Sequence, residues 1–210
     1  MRAKGTVYIT LYSTGYKSLM IYPYQLYPLS ENPYYNKQCT ERQVLENIQI
    51  DSIHEKDIMG LSLTLVKTSL KKILKKYNYV TFLSFDNVCL ELENDIILNN
   101  KIKKINISKN IESNYKLIAK NISYCSLYYL DKNVIDIFKN THIDTLYIAS
   151  DGFKRVDFEN TTINVLIPYH LSNLDSLDID FIVRNNKVKK AYSKEEAKQY
   201  LIARGQQDVY

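Results

Sequence analysis

The histidines and cysteines are the residues of this chain best suited to metal binding or nucleophilic catalysis. The three histidines, His54, His142 and His170, are isolated from one another, so tertiary structure would have to assemble any metal site. Cys125 could be paired with His142 or His170 as a nucleophile and its base, but it falls among regularly recurring apolar residues, which favours a place in the core. The sequence therefore predicts no metal site and no cofactor. An enzyme with a tertiary-assembled Cys/His site is the third functional hypothesis.

Lysine clusters could contact phosphates, with nearby tyrosines available for stacking on bases. The five glycines form no arrangement of the kind that cradles a nucleotide phosphate. A basic nucleic-acid-binding protein is therefore the alternative function, although a solvated surface explains the lysines equally well. The clusters are Lys71-Lys72, Lys75-Lys76, Lys101-Lys103-Lys104 and Lys187-Lys189-Lys190.

Cysteine usage and hydropathy indicate a compartment. Cys39, Cys89 and Cys125 are odd in number and contain no Cys-x-x-Cys pair, so we expect reduced thiols and no disulfide framework. The first residues lack the apolar run of an export signal, and the most apolar stretch, Ile58 to Val66, is too short to cross a bilayer. These features predict a cytoplasmic protein with no membrane association.

A phrase of the form apolar-x-x-apolar-x-apolar recurs through the middle of the chain. Its first residues lie 22, 20, 21 and 20 positions apart, a period typical of short-repeat solenoids. The copies are Val80-Leu83-Phe85, Ile102-Ile105-Ile107, Ile122-Cys125-Leu127, Ile143-Leu146-Ile148 and the damaged Ile163-Leu166-Pro168.

Two of these copies resemble the leucine-rich-repeat motif. The copy at 102–110 ends in Asn110 at its ninth position, and the copy at 143–151 ends in Asp151. The resemblance spans about residues 79–181 and implies a short strand of a parallel sheet in each repeat, with the intervening side chains on a concave outer face. Leu130 and Leu171 depart from the motif at its ninth position. Another phrase, Leu174-Leu177-Ile179, starts only 11 residues after Ile163, so an irregular α/β sandwich remains the alternative fold.

The segments on either side of the repeats carry their own signals. Alternation in 6–12 and 18–22 predicts an N-terminal β-hairpin, and apolar spacing with interleaved lysines predicts a basic capping helix over 56–77. Ser193 and Glu196 form a capping box for a helix over 194–204, placed to close the other end of the repeats. The resulting division is a hairpin, loop and helix cap in 1–78, a repeat-like solenoid in 79–185 and a basic C-terminal helix in 186–210, all as one cooperative unit.

These features predict an α/β protein, a leucine-rich-repeat-like parallel solenoid that acts without catalysis. We expect a protein–protein interaction module, an adaptor or inhibitor, and the bias towards Ile, Asn, Lys and Tyr is typical of an AT-rich viral or bacterial genome. Tyrosine gives large contact area with a polar tip, so the proline- and tyrosine-rich segment and the outward strand positions are the predicted binding surface. The candidate partner-binding residues are Tyr24, Tyr27, Tyr34, Tyr35, Lys104, Asn106, Tyr128, Asp144 and Tyr147.

Overall fold

The computed structural model describes residues 7–12, 17–21, 58–64, 67–86, 88–108, 111–128, 132–149, 155–168 and 178–203. These residues form an α/β structure with a mostly parallel central sheet and few helices. The strands are β1 (Val7–Tyr12), β2 (Lys17–Ile21), β3 (Ile58–Thr64), β4 (Lys67–Thr68), β5 (Phe82–Asp86), β6 (Val88–Leu90), β7 (Ile96–Ile97), β8 (Lys104–Ile107), β9 (Ile111–Ser113), β10 (Leu117–Ile118), β11 (Asn121–Leu127), β12 (His142–Ile148), β13 (Thr162–Pro168) and β14 (Lys187–Ala191). The helices are α1 (Leu70–Lys76), α2 (Lys132–Ile137), α3 (Ile179–Asn185) and α4 (Lys194–Ala203).

Nine strands form the central sheet, in the order β14-β13-β12-β11-β8-β5-β3-β1-β2. Every neighbouring pair is parallel except the β1–β2 hairpin, which confirms the predicted hairpin. From β3 onwards, the strands of this sheet lie beside one another in the order in which the chain makes them. Each crossover between parallel strands therefore returns to the adjacent position of the sheet.

The apolar phrase sets the register of the central sheet. The fourth residue of each copy pairs with the fourth residue of the next copy, so these residues form one continuous row across the strands. The sixth residues form a second row. Because side chains alternate across a strand, both rows point to the same face. That face is the core, and members of the fourth-position row are fully buried: Leu61, Leu83, Ile105, Cys125, Leu146 and Leu166.

The crossovers close the core on its other side. Between the central strands the chain makes two short parallel sheets, β4-β6-β9 and β7-β10, and later the helices α2 and α3. One hydrophobic cluster contains residues of both layers, for example Leu83 and Ile105 of the central sheet with Leu90, Ile111 and Phe138 opposite. The cluster extends from Leu61 to Ile182, across the predicted boundary at residue 78.

Polar side chains, buried at Thr141 and Thr161 and more exposed at Asn114, join successive crossovers. Thr141 Oγ1 donates to the Ala119 carbonyl at 2.7 Å, and Thr161 Oγ1 donates to the carbonyls of Phe138 and Phe158. The Asn114 side chain bonds both backbone groups of Leu92, donating at 3.1 Å and accepting at 3.3 Å. These bonds satisfy backbone groups that the short strands leave unpaired, where burial without a partner would be costly.

The helix predicted over 56–77 is wrong for most of its length. Residues 58–64 form β3, and only Leu70–Lys76 is helical. Leu61 and Leu63 both enter the core while Ser62 points to the other face, so the period-two pattern of this stretch prevails over its three- and four-residue spacings. Ile58-x-x-Leu61-x-Leu63 is in fact a further copy of the repeated phrase, 22 residues before Val80.

The C-terminal helix is confirmed, since α4 begins at Lys194 and Ser193 and Glu196 form the predicted capping box. The Ser193 amide donates to Glu196 Oε2 at 2.8 Å, and the Glu196 amide donates to Ser193 Oγ at 3.2 Å. Ile179, the last residue of the phrase at 174–179, instead begins α3. Asp178 caps this helix by accepting from the Phe181 amide at 2.8 Å.

One cysteine also departs from the prediction. Cys89 is disulfide-bonded, which contradicts the expectation of reduced thiols throughout, whereas Cys125 is free and buried. Among the described residues, no helix has the length and apolar character needed to span a membrane.

Candidate functional site

The outer face of the central sheet, opposite the core, carries the side chains between the buried rows. In the fifth-position row, β5, β8 and β11 contribute Ser84, Asn106 and Ser126, whereas β12 and β13 contribute Tyr147 and Ile167. The outer face therefore has a polar half on β5, β8 and β11 and an apolar half on β12 and β13. The row at the third position includes Phe82, Lys104, Tyr124, Thr145, Val165 and Lys190.

A hydrogen-bonded ladder crosses the polar half. Ser126 Oγ donates to Asn106 Oδ1 at 2.6 Å, and Asn106 Nδ2 donates to Ser84 Oγ at 3.0 Å. Ser84 is 8% exposed and Ser126 is 5% exposed, so the ladder holds the Asn106 amide in one orientation. Because these polar atoms bond one another, the ladder works as a rigid floor, and the exposed Lys104 beside it is the group best placed for a partner.

The apolar half is covered by α4. Tyr147 is only 4% exposed, and it clusters with Ile167, Ala149 and Ala197 of α4. The Tyr147 ring lies 5.0 Å from Tyr124 and 6.5 Å from Tyr200, centroid to centroid. The C-terminal helix thus packs on the outer face instead of only closing an end, and Tyr147 cannot contact a partner while α4 is docked.

Burial changes the acidity of the tyrosine at the boundary of the two halves. Desolvation raises the pKa of Tyr124 from 10.0 to about 12, and the nearby Tyr128 adds to the shift, while the hydrogen bond with Ser126 opposes it. The Tyr124 phenol is therefore neutral at physiological pH.

A second polar cluster lies at the amino ends of β12 and β13. His142 Nε2 lies 3.0 Å from Asp144 Oδ1, and Asn164 Nδ2 lies 2.8 Å from the same oxygen and 3.2 Å from His142 Nε2. Asn164 Oδ1 is buried and has no hydrogen-bond partner. Asp144 is half-exposed and so remains accessible to a partner.

Among the described residues, Cys125 and His142 do not form a catalytic pair. The Cys125 side chain belongs to the buried core row, whereas His142 bonds Asp144 and Asn164 on the outer side. Burial raises the pKa of the Cys125 thiol well above its usual value, so the nucleophilic thiolate is disfavoured. Within the described residues, no three His, Cys, Asp or Glu side chains are grouped so that they could hold a metal ion.

A groove of about 310 Å³ lies away from the outer face, between the β9–β10 turn and α2. The groove is lined by residues of the short strands β9 and β10 and of the helix α2, where the crossover layer changes from strands to a helix. Its lining is mixed in charge, with Asp95 and Asp136 against Lys116, and apolar at Ile111 and Leu117. Asp95 already accepts from the Lys116 amide at 2.8 Å, and Asp136 pairs with Lys139 at 3.2 Å.

The structure brings five of the nine candidate residues onto neighbouring strands of the central sheet. Lys104, Asn106, Tyr128, Asp144 and Tyr147 belong to β8, β11 and β12 or the residue that follows them. Tyr24, Tyr27, Tyr34 and Tyr35 lie outside the described residues, as do His54 and His170. Sequence reasoning missed Tyr124 and the role of α4, although the spacing of Ala197 and Tyr200 was a signal for an apolar helix face.

Comparison with known proteins assigns no family to this arrangement. No protein-family model, no curated protein and no solved structure matches the chain.

Proposed function

We propose that this chain is a non-enzymatic protein–protein interaction module, an adaptor or inhibitor, built as a leucine-rich-repeat-like solenoid with the hairpin and α1 at one end. The proposal assigns the partner to the polar half of the outer face. The partner contacts the exposed Lys104 and the half-buried Asn106, Tyr124 and Tyr128.

The order and register of the strands support the repeat architecture. From β3 to β13 each strand pairs in parallel with the next copy of the phrase, so equivalent residues lie side by side at a period of 20 to 22 residues. In solenoids this stacking creates an extended surface of outward strand residues, which such proteins use for binding.

The single observation that carries the functional proposal is the ladder from Ser84 through Asn106 to Ser126. Three polar residues in one row are held rigid on the outer face by hydrogen bonds to one another, whereas on β12 and β13 the helix α4 packs on the corresponding row. A rigid polar floor between an exposed lysine and two tyrosines lowers the entropy cost of binding, because few side chains must be ordered.

The test is affinity capture of tagged protein from host lysate with nuclease treatment, comparing a face variant with a control. Tyr128→Arg with Thr145→Arg adds bulk and charge to the outer face. Glu112→Arg with Lys116→Glu changes charge on the opposite side of the molecule, where both residues are exposed. We expect one stoichiometric protein to survive nuclease, to be retained by the control and to be lost by the face variant.

Two results would contradict the proposal. Loss of the captured protein by both variants, or by neither, would remove the outer face as the binding surface. Recovery of nucleic acid, with every captured protein lost after nuclease, would favour the nucleic-acid-binding alternative. Thermal unfolding of both variants checks that each remains folded.

A further inference from the structure

Four lysines gather at the amino ends of β8 and β11 and are here named the lysine patch: Lys101, Lys103, Lys104 and Lys120. The amides of Lys103 and Lys104 both donate to the Thr81 carbonyl, at 2.8 and 3.1 Å, and the Lys103 carbonyl accepts from Ser123 of β11 at 2.8 Å. Because parallel strands lie about 4.8 Å apart, Lys103 is a near neighbour of the chain that enters β11 just after Lys120.

The lysine patch carries unneutralised charge. All four side chains are exposed, and none forms an ion pair with a carboxylate of the described residues. Elsewhere in this part of the chain lysines do find carboxylates: Lys71 pairs with Glu93 at 3.2 Å, and Lys139 pairs with Asp136 and Glu159. Like charges on neighbouring strands repel one another, so an anion at the patch would relieve a repulsion that the fold leaves in place.

An aromatic side chain extends the patch. Tyr79 is 50% exposed, and the Lys101 ammonium lies 5.7 Å from the centre of its ring. On the opposite side the patch continues into the polar half of the outer face, because Lys104 stands in the same row as Phe82 and Tyr124. The patch therefore offers charge together with apolar contact area and is continuous with the face assigned to the partner.

The surroundings favour a short anionic occupant over a long one. Residues 78–180 contain 10 Lys and Arg against 14 Asp and Glu, so the patch is a positive area on an acidic part of the chain. A nucleic-acid backbone carries a negative charge at every phosphate and binds best along an extended run of basic residues. A short acidic peptide segment can end where the patch ends.

We propose that the lysine patch binds an acidic segment of the protein partner, with Glu or Asp side chains on the lysines and an apolar side chain against Tyr79. This inference rests on the proposed function and deepens it by giving the partner's chemistry. Charge complementarity of this kind mainly raises the association rate and selects among partners.

The test measures binding of two fluorescein-labelled probes of equal charge, a glutamate-rich octapeptide containing one leucine and an oligothymidylate, by fluorescence anisotropy at low and physiological salt. We expect the peptide to bind more tightly than the oligonucleotide and Lys103→Glu with Lys104→Glu to weaken peptide binding by roughly tenfold or more. The matched control is Lys72→Glu with Lys75→Glu, which reverses two exposed lysines on α1 and should retain peptide binding.

Equal loss in the patch and control variants, or tighter binding of the oligonucleotide, would overturn the inference. So would absence of peptide binding by the unaltered protein at low salt. These outcomes are separate from failure of the proposed function, because capture of a partner through Tyr128 and Thr145 is measured without the peptide.

Discussion

Tyr147 of β12 and Tyr200 of α4 place their ring centroids 6.5 Å apart, and this contact fixes the C-terminal helix on the outer face of the central sheet. Tyr200 also lies 5.5 Å from Tyr192, the residue that follows the edge strand β14. The face that a repeat architecture would present to a partner is thus divided by the chain itself. On the side of this row away from α4, β5, β8 and β11 carry the polar residues Ser84, Asn106 and Ser126, and β3 continues the row with Ser62.

Ala197→Arg should detach α4 from the outer face. Ala197 is 1% exposed at the contact with Tyr147 and Ile167, so a long charged side chain cannot fit without displacing the helix. We expect the free energy of unfolding to fall by about 1–3 kcal/mol and binding of a hydrophobic dye to rise as the tyrosines become accessible. Gln199→Arg, on the exposed side of α4, is the control, and equal effects of the two substitutions in chemical denaturation would contradict this packing.

Tyr124 should make stability depend on pH in the alkaline range. Its folded-state pKa is about 12, against 10.0 for the free side chain, mainly because burial disfavours the phenolate. The folded state therefore holds the proton more tightly, and the stabilisation is complete below pH 10 and is lost as pH rises through about 12. Urea unfolding across this range should show a steeper loss for the unaltered protein than for Tyr124→Phe. Parallel curves for the two proteins would exclude this contribution.

The capping box of α4 gives a prediction in the acid range. Hydrogen bonds from Ser193 lower the pKa of Glu196 below its usual 4.5, so the stabilisation is present above that value and is lost as pH falls through the lowered pKa. Ser193→Ala should destabilise the helix by about 1 kcal/mol at neutral pH. It should return the Glu196 pKa only part of the way towards normal, because the amide of residue 193 still donates to the Glu196 carboxylate, and a side-chain NMR titration measures this shift. Unchanged helix stability in this variant would contradict the capping role of the Ser193 hydroxyl.

The sequence predicted the elements whose signals are local. Ser193 and Glu196 define the start of α4 because a capping box needs only residues three apart, and the phrases at Leu83, Ile105 and Leu146 define core strands because inward residues recur every second position. The same strand pattern was present at Leu61 and Leu63. It was hidden because the apolar residues from Leu61 to Leu74 also fall mostly at intervals of three and four residues, the spacing that a helix produces.

The candidate site was only partly predictable, because burial on the outer face depends on a contact between distant segments. The outward direction of Tyr147 follows from the phrase, but its covering by Ala197, 50 residues later, is a tertiary contact that no local pattern specifies. The ladder on Asn106 is similar. Ser84, Asn106 and Ser126 are each ordinary polar strand residues, and only the register places them side by side.

Cys125 should resist alkylation in the folded protein. The thiol is fully buried in the core row, so an alkylating reagent cannot reach it in the native state. Burial also raises the pKa of the thiol, which disfavours the reactive thiolate. Treatment with iodoacetamide followed by peptide mapping should leave Cys125 unmodified until denaturant is added. Labelling of Cys125 at similar rates in folded and unfolded protein would contradict its place in the core and would reopen the Cys/His hypothesis.

Asn186 should be among the most sensitive single positions for stability. Its side chain accepts from the Phe158 amide at 2.7 Å and donates to the carbonyls of Val156 and Ile182, each at 2.9 Å. Asn186→Ala would remove this partner from the Phe158 amide and the Val156 carbonyl, at a cost of about 1–3 kcal/mol for each group that water does not reach, whereas the Ile182 carbonyl still accepts from the amide of residue 186. Asn186→Asp keeps the shape and the acceptor but loses both donors, so it should also destabilise. The exposed neighbour Asn185→Ala should change the unfolding free energy far less. Equal midpoints for the variants at 186 and 185 in urea unfolding would show that the network at Asn186 does not hold α3 against the loop before β13.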